Sequence, residues 1–116
     1  TYPRGMDTEV INTSALEKCW RESSDKDDHE HVTLFIRRNP DKFRIKSVKK
    51  NGSSAGDIRL CLDTEEDYSL VKKIYEKLYS GKVIKLDEVL NLLELEPELR
   101  QINEHIQQKK VKDKIF

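Results

Sequence analysis

The sequence predicts an α/β fold, and three observations predict it. Short runs that are apolar, or that alternate apolar and charged residues, read as strands at 6–11, 42–48 and 58–62. Around them apolar residues recur at helical spacing, as at Leu16, Cys19 and Trp20 or at Val71, Ile74, Tyr75 and Leu78. Capping residues and glycine or proline breaks separate the two kinds of pattern. The order is strand, helix, helix, strand, strand, helix, helix, helix. Two or three strands do not make an independent open sheet with helices on both faces. The chain therefore reads as a small α+β domain or as part of a larger α/β sheet.

In the first strand, Met6 to Ile11, imperfect alternation presents Asp7 and Glu9 on one face. Ser14 and Glu17 fit a capping box that opens the first helix, which runs to about Arg21. An acidic loop leads into a second helix with Val32, Phe35 and Ile36 as its stripe and Asp27 or Asp28 as its cap. Asn39-Pro40 ends it, because the residue before proline avoids α geometry. Lys42 to Val48 has the pattern of a strand with one wet face, and Ile58 to Leu62 that of an apolar strand stopping at Asp63. Thr64-Glu65-Glu66-Asp67 opens a helix that Ser80-Gly81 breaks. Two short helices are expected at Asp87 to Leu95 and from Pro97 to about Lys109, with proline at the first helical position.

The chain has 116 residues, 38% of them charged and 35% hydrophobic. An apolar share this low in so short a chain implies a thin core, or one completed by another surface. Its 22 basic residues balance 22 acidic ones, which argues against a nucleic-acid or anionic-membrane binder. The basic stretch from Arg37 to Lys50 interleaves with Phe43 and Ile45, as the charged face of an edge strand does. No apolar run approaches the roughly 20 residues of a membrane span. Cys19 and Cys61 sit among apolar neighbours and fit no zinc spacing, so reduced thiols and a cytoplasmic protein are expected. The chain starts without methionine in a turn-like segment, from which a piece of something longer is expected.

Asp63 is the most informative residue chemically. A carboxylate between an apolar strand and a helix start lies where open α/β sheets bind ligands, and Mg²⁺ takes one or two such carboxylates together with substrate phosphates. The alternative is that Asp63 and Asp67 only cap the helix and complement its dipole. Asp7 and Glu9 are candidates for binding sugar hydroxyls, or else a solvated strand face. Arg4 is a candidate for a carboxylate or phosphate, or else a surface arginine. His31, beside Glu30, is a candidate hydrogen-bonding group at a ligand site, or else a surface histidine. No nucleophile elbow and no phosphate-cradling glycine loop is present.

Taken in order, Tyr-Pro-Arg-Gly-Met-Asp-Thr-Glu-Val (2–10), Ala-Leu-Glu-Lys-Cys-Trp (15–20), Glu-His-Val-Thr (30–33), Ile-Arg-Arg-Asn-Pro-Asp-Lys-Phe (36–43) and Leu-Asp-Thr-Glu-Glu-Asp (62–67) resemble the spore coat polysaccharide biosynthesis protein F family. These are cytidylyltransferase-like proteins related to the synthetases of CMP-activated acidic sugars. The resemblance implies a Rossmann-like nucleotide-diphospho-sugar transferase fold with a mixed sheet flanked by helices. It divides the chain into the C-terminal half of that domain at 1–80 and a helical extension at 81–116. It implies CTP and a sugar as substrates, pyrophosphate release, Mg²⁺ and a homodimer. Asp63 becomes the metal-side carboxylate; Arg4, Asp7 and Glu9 form the sugar-side wall, with His31 near the same pocket. Cys61 stands where the acidic-sugar synthetases often carry a second aspartate. The family's nucleotide-binding half precedes this region, so the isolated chain is expected to be inactive. A non-catalytic interaction or dimerisation module is the competing expectation.

Overall fold

The computed structural model describes residues 1–50 and 55–107. Its helices are α1 (Thr13–Glu22), α2 (Lys26–Glu30), α3 (Leu34–Arg38), α4 (Glu65–Leu78) and α5 (Leu86–Leu95), followed by a 3-10 segment at Pro97–Ile102. They divide between two compact units, residues 1–7 with 49–107, and residues 8–48. No helix among the described residues is long and apolar enough to cross a membrane.

In the first unit, α4, α5 and the 3-10 segment enclose the core. Leu70 and Ile74 from α4 meet Val89, Leu92 and Leu93 from α5 and Leu99 from the 3-10 segment; Ile58, Leu60, Leu78, Ile84 and Ile102 pack around them. The helix limits follow local chemistry. Thr64 caps α4 by accepting the Asp67 N–H on its hydroxyl at 3.2 Å. Gly81, at φ +84°, turns the chain after α4 in a conformation other residues adopt only under strain. The Glu88 carboxylate accepts the Lys85 N–H at 2.7 Å to open α5. The helices expected at 87–95 and from Pro97 are therefore present, the second as a 3-10 turn ending at Ile102, while Gln108 and Lys109 lie outside the described residues. Within α4 Leu70 and Ile74 face inward, while Tyr75, expected inside, stays 54% exposed.

The helices of the second unit differ from their expected pattern in two places. The first helix starts after Asn12 with no side-chain cap, so the Ser14–Glu17 box is not used. The single helix expected before Asn39 is two, α2 capped by Asp25 and α3 after a turn at 31–33. Arg38 Nη1 donates to Oδ1 of buried Asp28 at 2.7 Å. In one continuous helix, residues ten apart would be about 15 Å apart along the axis. The ion pair forms only because His31, Val32 and Thr33 let the chain fold back.

The expected mixed sheet is absent. Among the described residues the only strand-type pairing is a parallel bridge between Arg4 and Arg59. Arg4 N–H donates to the Ile58 carbonyl and Leu60 N–H to the Arg4 carbonyl, both at 2.8 Å. The bridge cannot lengthen, because Gly5 turns away at φ +93° and the Met6 N–H returns to the Pro3 carbonyl at 3.2 Å. The runs at 6–11 and 42–48 have no ladder partner, and Val10 and Val48 are 98% and 77% exposed. Alternation specifies a strand only when a neighbour supplies both the hydrogen bonds and a face to bury. Without the strand at 6–11, Asp7 and Glu9 share no strand face.

Two stability predictions follow from this geometry. Leu93→Ala, emptying the centre of the first unit's core, is expected to cost about 2–5 kcal/mol in urea unfolding followed by circular dichroism. A Cβ at Gly5 would lie 2.6 Å from the Leu60 carbonyl oxygen, so Gly5→Ala combines a clash with an unfavourable φ. It is expected to cost about 1–3 kcal/mol in the same measurement.

Candidate functional site

The polar centre of the first unit is built from both sides of the 63–64 junction. Arg59 lies in an apolar run and is 6% exposed; Asp67, on the first turn of α4, is fully buried. The guanidinium grips the Asp67 carboxylate in a fork, Nε to Oδ1 at 2.9 Å and Nη2 to Oδ2 at 2.7 Å. Asn103 Nδ2 donates to Asp67 Oδ1 at 2.8 Å and to the Arg59 carbonyl at 3.1 Å. The Asp63 N–H adds a bond to Asp67 Oδ2 at 3.0 Å. Asp67 thus accepts four hydrogen bonds. Those from Arg59 chiefly hold its carboxyl far below the usual carboxylate range, against the opposing effect of burial, with Asn103 and the Asp63 N–H assisting. The same hydrogen bonds raise Arg59 above its ordinary value, again against burial.

Asp63 stands at the rim of this network. It follows the extended segment that carries Arg59 and precedes Thr64, as the sequence pattern requires, and its side chain is 65% exposed. Arg59 Nη2 donates to its Oδ2 at 2.9 Å. Cys61 lies between Arg59 and Asp63. Its thiol is pushed above the ordinary value mainly by burial; Arg59 opposes this, while Asp63, Asp67 and Asp7 reinforce it. Asp7 and Asp63 therefore act on a common neighbour. Arg4 is bridged through its backbone to Arg59, its side chain exposed.

Glu9 and His31 belong to the second unit. Glu9 is exposed on the lead-in to α1. His31 is exposed at the end of α2, where its N–H donates to the Asp27 carbonyl at 2.8 Å and its carbonyl accepts the Leu34 N–H at 2.8 Å. Its backbone makes the turn between α2 and α3. The two residues share no hydrogen bond or ion pair among the described residues.

As a cation site the junction offers one carboxylate. Both oxygens of Asp67 are occupied by donors, and among the described residues no three His, Cys, Asp or Glu side chains gather to hold a metal ion. Asp63 alone faces solvent, one oxygen shared with Arg59. Sequence reasoning treated Asp67 as a helix cap and missed its pairing with Arg59 and Asn103. One signal was present: a charged residue inside Ile58-Arg59-Leu60-Cys61-Leu62 needs a buried counter-charge. Nothing in the sequence pointed to Asn103.

Known proteins bear on this arrangement. The chain is 33% identical over 98 residues to the spore coat polysaccharide biosynthesis protein SpsF of Bacillus subtilis, an alignment covering 83% of this chain and 41% of that protein. This chain is a distant relative of SpsF. It is also 29% identical over 115 residues to the uncharacterized protein MJ1063 of Methanocaldococcus jannaschii, covering 94% of this chain and 45% of that one. The chain thus spans under half the length of either relative. No protein-family model matches it, and no solved structure does.

The buried pair makes a pH prediction. The Asp67 carboxyl has a lower pKa folded than unfolded, so its stabilisation is complete above about pH 5 and is lost as pH falls toward 2 and below. Asp67→Asn takes from Arg59 its buried counter-charge, leaving the exposed Asp63 carboxylate at the rim, and is expected to cost about 3–5 kcal/mol. Urea unfolding of both proteins between about pH 3 and pH 7 checks this: the difference between them shrinks as the pH falls.

Proposed function

We propose that this chain is the sugar-side portion of a nucleotidyltransferase that joins CTP to a sugar, releases pyrophosphate and forms a CMP-sugar for surface or spore-coat polysaccharide. One observation carries the reading: the SpsF-like sequence includes a solvent-facing carboxylate, Asp63, between an extended apolar segment and a capped helix. In this proposal Asp63 supplies one ligand to Mg²⁺, whose chemistry is to draw the triphosphate and the attacking oxygen together. The remaining ligands and the triphosphate-binding loop come from outside these residues. Arg59 holds Asp63 in place from below, and Arg4 and Asp7 border the same end of the unit. The proposal also assigns Glu9 and His31 to sugar binding. The protein works as a cytoplasmic homodimer.

A second reading, a non-catalytic interaction module, is favoured by the second unit's surface. An open, mainly apolar groove of about 630 Å³ is lined there by Leu16, Cys19, Trp20, His29 and Val32. Trp20 is 70% exposed beside it.

Asp63→Asn separates the two readings. In the full-length protein it is expected to lower pyrophosphate release from CTP, Mg²⁺ and an acidic sugar by at least about 100-fold, with the melting temperature unchanged. Equal turnover by the variant would overturn the metal role, and turnover by the 116-residue chain alone would overturn its place as half of a site. A panel of nucleoside triphosphates reports whether CTP is the donor.

A further inference from the structure

The groove on the second unit has walls that the fold holds in place. Leu16, Glu17, Trp20 and Arg21 come from α1, His29 and Val32 from α2 and the turn after it. The buried Cys19 thiol donates to the Val32 carbonyl at 3.4 Å, which ties the two walls together. The Trp20 and His29 rings meet edge to face, their centroids 4.8 Å apart and their planes at 80°. That contact orients the indole, yet Trp20 stays 70% exposed. A preformed space of about 630 Å³ beside it has the size of a small-molecule site.

The rim carries one charge of each sign. Glu17 and Arg21 stand a helical turn apart on α1, with Glu17 about 60° round the helix from Trp20. Neither enters a side-chain hydrogen bond or ion pair among the described residues, whereas Asp28, also at the groove, is committed to Arg38. A ligand with net charge is attracted by one of the two and repelled by the other. A hydroxyl group donates to a carboxylate and accepts from a guanidinium, so a neutral ligand with several hydroxyls serves both. The indole adds a second requirement, a flat apolar face. A pyranose ring meets both, with hydroxyls around its edge and C–H bonds across one face. A nucleotide offers the flat face, but Glu17 repels its phosphates.

We infer that the Trp20 groove binds a neutral saccharide, its apolar ring face on the indole and its hydroxyls shared between the Glu17 carboxylate and the Arg21 guanidinium. Thr13 and Ser23, which also line the groove, add hydroxyls of their own. The groove lies wholly within residues 8–48, and Asp63 belongs to the other unit. The inference therefore goes beyond the nucleotidyltransferase reading and does not rest on it: a saccharide held here is bound, not activated.

The chain has a single tryptophan, so indole fluorescence reports from the groove alone. The 116-residue chain is titrated with the methyl glycosides of glucose, galactose and mannose and with maltose and cellobiose. At least one is expected to give a saturating blue shift, with a Kd of about 0.1–10 mM. Glucuronic acid, choline and cytidine monophosphate are expected to bind about 3-fold more weakly or worse. Glu17→Gln is expected to weaken the neutral saccharide about 3–10-fold and to narrow its margin over glucuronic acid. Trp20→Ala, followed by saturation-transfer NMR because its fluorescence is lost, is expected to abolish binding. Both side chains are exposed, and far-ultraviolet circular dichroism verifies that each variant folds; if Trp20→Ala does not, Trp20→Leu replaces it. No shift with any of these saccharides overturns the inference. So does tighter binding of the acid, the cation or the nucleotide, saccharide binding that survives loss of the indole, or an unchanged affinity after Glu17→Gln. An emission shift on concentrating the chain without saccharide also overturns it, since that assigns the groove to a protein partner.

Discussion

Arg59 and Asp67 come from opposite sides of the 63–64 junction and meet where no water reaches the carboxylate. A guanidinium in an apolar segment can stay buried only with a counter-charge and with its donors used, and Asp67 meets both conditions through the fork it accepts. The pair fixes the start of α4 against the segment that precedes it. Asn103 then closes the arrangement from the far end of the unit, bonding to Asp67 and to the Arg59 carbonyl. One ionic contact thereby joins residues 59, 67 and 103, and the leucine core shared by α4, α5 and the 3-10 segment assembles beneath it. A structure with a small apolar core leans on such a pair more than a large domain does, because each layer of burial contributes less.

The same contact decides how Asp63 is presented. Its backbone N–H is committed to Asp67 and one of its oxygens to Arg59, so the main chain at the junction is held while the carboxyl group remains largely in solvent. Asp63 is thus ordered without being buried, the condition a ligand-binding carboxylate needs. Asp67, in the same network, is excluded from that role by saturation. Two acids four residues apart, alike in the sequence, are set in opposite environments by one arginine.

Much of the helical structure was legible in the sequence, since capping and helix-breaking residues act locally. Thr64 caps α4, Gly81 turns the chain after it, and Pro97 opens the 3-10 segment where its fixed φ suits a first turn. The sheet was misread because alternation at 6–11 and 42–48 reports only what a strand would look like if a partner came beside it. Pairing is a non-local property, and Gly5 ends the one parallel bridge after a single residue. The split between α2 and α3 was hidden for a related reason, depending on an ion pair ten residues apart that periodicity does not encode. Of the candidate site residues, Asp63 was singled out by its position at a junction, and the structure puts it between an extended segment and a capped helix. Its supporting network was not legible in the sequence, because Asn103 reaches it from 36 residues beyond Asp67.

The composition that made the chain look core-poor has a specific location in the structure. Tyr75 fits the helical period of Val71, Ile74 and Leu78 and was expected inside, yet Leu70 takes the inward place and the tyrosine faces out with Tyr68 and Tyr79. The shift follows from Asp67: once that side chain must face inward to meet Arg59, the residues that share its face are Leu70, Ile74 and Leu78, three, seven and eleven positions on. Tyr68 and Tyr75, each one position beyond a member of that set, turn about 100° away from it. The buried ion pair therefore sets the rotation of α4 about its own axis. In doing so it separates a leucine face that closes the core from a tyrosine face that the unit itself leaves exposed.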